Sequence, residues 1–125
     1  MKKLLVMSLF TALGTLFGCN TASGFKSVDV KEFAAEIAKP EVQLVDVRTA
    51  DEYADGHIKG AVNIDVMDDD FQQQLLEKLD KERPVALYCR SGRRSKKAAQ
   101  IAEQQGFSVV ELDGGILSWT GETER

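Results

Sequence analysis

Between Phe25 and Trp119, short apolar runs alternate with segments whose apolar residues recur at helical spacing, and this rhythm restricts the fold more than any other feature. Ser27-Val28 reads as a short strand. Asp29 can cap a helix carrying Phe33, Ala34, Ile37 and Ala38, which Pro40 stops. Val42 to Val47 is a buried-strand candidate, after which Thr49 caps a short helix through Tyr53 and Gly56 breaks it. Ala61 to Ile64 predicts another short strand, and Asp68 to Leu79 a helix with Phe71, Leu75, Leu76 and Leu79 on one face. Pro84 to Tyr88 is the most apolar strand. It leads to a helix over Ser95 to Gln105, with Ala98, Ala99, Ile101 and Ala102 inward and Gly106 at its end. Val109 to Leu112 gives a last strand, and Gly114-Gly115 leads into a short helix holding Trp119. The alternation implies an α/β domain: a central, mostly parallel five-stranded sheet with helices on both faces. Ligands in such folds sit beyond the carboxyl ends of the strands.

With 125 residues the chain has room for one domain, and 43% hydrophobic and 29% charged residues are an ordinary globular balance. The formal net charge of −4 argues against a nucleic-acid binder, so any anion site must be local. The sequence offers no Cys/His metal set. There is no C-x-x-C, and the single histidine, His57, cannot make a zinc site.

The two cysteines have different surroundings, which argues against a disulfide between them. Cys19 follows a positive start (Lys2, Lys3), a largely apolar stretch (Leu4 to Phe17) and Gly18. That stretch is shorter than the about 20 apolar residues a membrane-spanning helix needs, and fits the core of a secretory signal. The ending Leu16-Phe17-Gly18-Cys19 resembles a bacterial lipobox, with Phe17 where a smaller residue is usual. The resemblance implies a signal peptide over 1–18, a lipidated Cys19 and a short polar tether through Gly24, with the folded domain over 25–121. An uncleaved anchor or a plain signal peptide is the alternative. A lipobox implies an envelope protein on the periplasmic side, tethered to a membrane. Asn20, rather than aspartate, after the cysteine points toward the outer membrane. Loss of Lys2 and Lys3 would take the charge from −4 to about −6.

The chemistry concentrates in Cys89-Arg90-Ser91-Gly92-Arg93-Arg94-Ser95, between the most apolar strand and a helix. A loop here can turn successive backbone N–H groups inward as an anion nest, with the positive helix end beside it. Gly92 supplies the freedom the curl needs, and Arg90, Arg93 and Arg94 add positive charge at the rim. These groups should draw the Cys89 thiol below its free pKa of ~8.5. A buried structural cysteine beside a solvated basic helix start is the bland alternative, which three arginines within five residues oppose.

Three motifs in order resemble those of single-domain rhodanese-like sulfurtransferases. The loop fits C-x-x-G-x-R at Cys89, Gly92 and Arg94. Upstream, Val45-Asp46-Val47-Arg48 through Glu52-Tyr53, Gly56-His57-Ile58, Gly60-Ala61 and Asn63-Ile64 fit that family's D-x-R…E-Y…G-H-I-x-G-A-x-N signature. Downstream, Asp113-Gly114-Gly115 followed by Trp119 fits its closing element. The resemblance spans Phe25 to Trp119.

It implies a persulfide mechanism. Cys89 attacks the outer sulfur of thiosulfate or a similar anion, sulfite leaves, and the sulfur passes to cyanide or a thiol acceptor. Arg90, Ser91, Gly92, Arg93 and Arg94 would bind the donor. Asp46, Arg48 and Glu52 would support the loop, with Glu52 able to pair with Arg48. No cofactor is implied, and a monomer is expected. Two other readings stand beside it. A rhodanese-like anion-binding or redox-sensing module without turnover would use the same nest. Cysteine phosphatases resemble C-x5-R, but the sixth residue after Cys89 is Ser95. His57 reads as a hydrogen-bonded structural residue, Asp68 to Asp70 as the acidic first turn of a helix, and Lys96 and Lys97 as a solvated face able to steer anions.

Overall fold

The computed structural model describes residues 24–125; Cys19 and the lipobox-like ending lie outside the described residues. Five parallel strands form the central sheet: β1 (Phe25–Val28), β2 (Gln43–Asp46), β4 (Val62–Asn63), β5 (Val85–Tyr88) and β6 (Val109–Leu112). Their spatial order is β1-β6-β5-β2-β4, so the strand carrying the chemistry is central. The helices are α1 (Val30–Ile37), α2 (Ala50–Asp55), α3 (Phe71–Lys78) and α4 (Arg93–Gln104). This is the expected five-stranded sheet with helices on both faces. Among the described residues no helix is long and apolar enough to cross a membrane.

Side chains of a strand alternate between the two faces, and this alternation builds two cores. Val85, Leu87 and Cys89 pack with Val45, Val47 and Val109 against Ala98, Ala99 and Ala102 of α4 and Phe71 and Leu75 of α3. Ala86 and Tyr88 face the other way, with Val28, Leu112 and Phe33 of α1, and Tyr53, Ile116 and Trp119 packed against them. The sulfur is therefore on the α4 side by strand parity.

Local signals start the helices as anticipated. Asp29 caps α1 by accepting from the Glu32 N–H at 2.9 Å. Thr49 and Glu52 form a reciprocal capping box on α2. Elsewhere the expectations need correction. Helix α3 begins at Phe71, so Asp68 to Asp70 precede it and are not its first turn. Asp68 and Asp70 instead accept from Gln74 Nε2, at 3.0 and 2.8 Å. Leu76 is exposed rather than inward, as are Ala34 and Ala38 on the first helix. Helix α4 starts two residues before Ser95, and Trp119 follows a 3-10 turn over Ile116–Ser118. A small antiparallel pair, β3 (His57–Ile58) with β7 (Thr123–Glu124), had no signal in the sequence.

Candidate active site

Cys89 follows β5 directly, at the carboxyl edge of the sheet, and the chain curls through Arg90 to Gly92 into α4. The Gly92 N–H donates to Cys89 Sγ at 3.0 Å. Gly92 has φ of 105°, a region that side chains disfavour, and a Cβ there would sit 2.1 Å from the Asp113 carbonyl oxygen. The loop is held from behind by the second glycine of the closing motif. The Ile116 and Leu117 N–H groups donate to the Cys89 and Arg90 carbonyls, at 2.9 and 3.2 Å. A Cβ on Gly115 would lie 2.2 Å from the Arg90 carbonyl oxygen.

Cys89 is a free thiol, 1% exposed. Burial pushes its pKa up, but hydrogen bonding with the Ser95 hydroxyl and with the Ser95, Gly92 and Ser91 amides outweighs burial and holds the thiol below its ordinary value. The Gly92 N–H points into the loop at the sulfur, the orientation that an anion nest calls for. Along the outer side of the loop opens a cleft of about 490 Å³ lined by Arg90, Ser91, Arg93, Arg94, Met67 and Lys97. Arg90, Ser91 and Arg93 are exposed there. Another cavity, about 570 Å³, lies at the opposite end of the strands near Phe25, Pro84 and Ser108, away from the sulfur.

Arg94 is not a loose cation. Its guanidinium grips Glu52 at 2.7 and 2.9 Å, and Glu52 is in turn held by Thr49 at the start of α2. The Arg94 hydrogen bonds hold the Glu52 carboxyl down to about 2, against the opposing effect of burial. Glu52 therefore pairs with Arg94, not with Arg48. The strand-end signs agree with this wiring, because Arg94 reaches from α4 across to the capping box while Arg48 turns back along its own strand.

Asp46 and Arg48 build a separate buried node. Arg48 Nη2 donates to Asp46 Oδ2 at 2.6 Å and to the Gly56 carbonyl at 2.8 Å. Tyr88 Oη donates to Asp46 Oδ2 at 2.8 Å and accepts from the Ile58 N–H at 3.0 Å. Asn63 Nδ2 closes the node on the Asp46 and Arg48 carbonyls. Both charged side chains lie on the sheet face opposite the sulfur side, so they brace β2, β4 and the turn at Gly56. His57 is structural, as the sequence suggested: it is buried, stacks on Tyr53 at 3.7 Å and meets the Tyr53 carbonyl through Nδ1 at 2.9 Å.

Sequence reasoning missed three participants. Met67 stands at the cleft mouth with no motif to mark it. Ser95 closes the cysteine segment without a role the sequence assigns it, yet its hydroxyl meets the sulfur at 3.5 Å. Glu111 looked like an ordinary strand residue, yet it is fully buried and accepts from Ser95 Oγ at 2.6 Å. Parity along β6 was the available signal, since Glu111 alternates with Val110 and Leu112 and so faces α4.

Comparison with known proteins agrees with this arrangement. Residues 29–122 match the Rhodanese-like domain family. YtwF of Bacillus subtilis is 34% identical over 103 residues, covering 78% of this chain and 97% of that protein. The thiosulfate sulfurtransferase GlpE of Shewanella oneidensis is 34% identical over 98 residues, covering 78% of this chain and 94% of its own length. The crystal structure of a rhodanese-like domain protein from Staphylococcus aureus superposes with a TM-score of 0.67 at 33% identity, covering 78% of this chain and 93% of that one. Fold, strand-end cysteine loop and sequence likeness converge, and the chain belongs to the rhodanese-like domain family.

Proposed function

We propose that the chain is a sulfurtransferase that carries sulfane sulfur on Cys89. The observation that carries this reading is the buried Cys89 sulfur, held by backbone amide donors and hydrogen-bonded to the Ser95 hydroxyl, surroundings that favour its thiolate. The thiolate attacks the outer sulfur of thiosulfate; the S–S bond breaks, sulfite leaves with its electron pair, and a Cys89 persulfide anion remains. Cyanide or an acceptor thiolate then takes the outer sulfur and returns Cys89 as thiolate, so charge balances at each step. Arg90 and Arg93 face the departing sulfite, while Arg94, fixed by Glu52, supplies a cation whose direction does not change. The amides of Ser91 and Gly92 stabilise the anionic sulfur in each state.

The test is turnover of thiosulfate and cyanide to thiocyanate by the purified chain, with mass spectrometry of the Cys89 peptide. We expect a mass gain of one sulfur after thiosulfate, and loss of both signals in Cys89→Ala. Absence of turnover and of the adduct in the wild type would replace the enzyme by an anion-binding module. The lipobox-like ending supports a tether at Cys19 on the periplasmic side of an envelope membrane. Incorporation of labelled fatty acid that disappears in Cys19→Ser is the expected result.

A further inference from the structure

We propose that Glu111, acting through the Ser95 hydroxyl, sets the basicity of the Cys89 sulfur and is a positioning residue for sulfur transfer. The role in transfer rests on the sulfurtransferase reading; the coupling itself does not.

The three groups form one chain on the α4 face of the sheet. Cys89 Sγ donates to Ser95 Oγ at 3.5 Å, and Ser95 Oγ donates to Glu111 Oε2 at 2.6 Å. Ser95, Glu111 and Cys89 are all buried, so no water competes for these bonds. A serine hydroxyl has one proton. When that proton points at Glu111, Ser95 can only accept from the sulfur, and the thiol keeps its hydrogen. When the sulfur ionises, Ser95 must turn its proton to the sulfur, and Glu111 gives up its hydrogen bond from Ser95. The carboxylate and the thiolate thus compete for one proton, and the carboxylate acts as a brake on ionisation.

The other end of Glu111 is fixed. Oε1 accepts from Ser27 Oγ of β1 and lies 3.1 Å from Lys96 Nζ of α4. Lys96 also bonds Asp113 at 2.7 Å and the Gly92 carbonyl at 3.3 Å. These are the charged groups that face Glu111. On the sulfur side the charged neighbours are Arg94 and, on the rim, Arg90 and Arg93, with Asp65 acting on Arg94. Strand register produces the arrangement: Ser27 is paired with Glu111 across β1 and β6, and Glu111 with Leu87, two residues before Cys89, across β6 and β5.

The consequence for sulfur transfer is a trade. A more basic sulfur is a stronger nucleophile toward the donor and a poorer leaving group from the persulfide, so the loaded state lasts longer.

Glu111→Gln makes the test directional. Ser27 and Lys96 both donate, so they hold the amide oxygen at the Oε1 position and turn the amide nitrogen toward Ser95. That nitrogen donates to Ser95 Oγ and releases the Ser95 proton to the sulfur. The measurement is the pH titration of the thiolate ultraviolet absorbance in the full chain carrying Cys19→Ser, less that of the same chain with Cys89→Ala. We expect Glu111→Gln to move the midpoint lower by about one pH unit, and to move it little when Ser95→Ala is also present. An unchanged or higher midpoint overturns the proposal. So does an equal shift in the Ser95→Ala background, because that is a through-space effect of charge. Should Glu111→Gln not fold, Lys96→Met carries the same cycle with the opposite sign: a higher midpoint with Ser95 and little change without it, and the absence of that pattern overturns the proposal. Thiocyanate formation is read separately, so loss of turnover with an intact titration cycle would sink the sulfurtransferase reading and leave the coupling standing.

Discussion

Gly92 meets two demands at once: a left-handed φ of 105° and an approach to the Asp113 carbonyl that leaves no room for a methyl group. Gly92→Ala should cost about 2–4 kcal/mol in urea unfolding, combining backbone strain with overpacking. It should also move the Cys89 titration upward, because the Gly92 N–H no longer points at the sulfur. A loss below about 0.5 kcal/mol would mean that the loop relaxes freely and that the nest is not rigid. Glu52 makes a pH-dependent contribution of known sign. Its folded-state pKa is held down to about 2 by Arg94, against ~4.3 for an unfolded glutamate. The stability from the pair is therefore complete above about pH 4.5 and is lost as pH falls toward 2. Both side chains are 28% exposed, so solvent screening leaves about 1–2 kcal/mol. Glu52→Gln should accordingly unfold more easily than wild type at pH 7 and show a smaller difference near pH 2, measured by urea midpoints across that range.

At the scale of elements, parity along β5 separates the two jobs of the strand. Val85, Leu87 and Cys89 look toward α4, while Ala86 and Tyr88 look toward α1 and the Asp46–Arg48 node. Tyr88→Phe removes one hydroxyl that joins Asp46 to the Ile58 N–H in a buried setting. The expected cost is about 1–3 kcal/mol in chemical unfolding, chiefly from the Ile58 donor left unpaired. The Cys89 titration should stay where it is, because the lost bond lies across the sheet; a shift there would mean the two faces are coupled. The same parity explains how far the sequence could be read. Strands, cysteine loop and helix caps are legible because each depends on neighbours a few residues apart, as with the caps Asp29 and Thr49. The Arg94–Glu52 pair, the Ser95–Glu111 contact and the β3–β7 pairing are not. Each joins residues far apart in sequence, and each depends on strand order and register, which local spacing leaves undetermined. Leu76 was misjudged for a related reason: α3 starts later than its acidic run suggested, and a short helix has only one narrow face to bury.

For the whole molecule, charge is arranged against the average. The chain has a net charge of −4, yet the cleft along the cysteine loop is lined by Arg90, Arg93, Arg94 and Lys97. An anionic donor approaching from afar meets repulsion, and attraction takes over only within a Debye length of the cleft, about 8 Å at physiological ionic strength. Lys97 is the informative position. It is exposed on α4, lies outside the cysteine loop, and the sequence reads it as a solvated face able to steer anions. If local steering overcomes the global field, Lys97→Glu should lower kcat/KM for thiosulfate about 3- to 10-fold at low salt, with the deficit shrinking as salt is added. In the proposed reaction cyanide carries one charge and would attack after sulfite has left, so the second half-reaction should depend on Lys97 less. A defect of equal size at all ionic strengths would make Lys97 a contact to bound donor rather than part of a field. No defect at any salt would mean that the arginines of the loop overcome the negative surface without it.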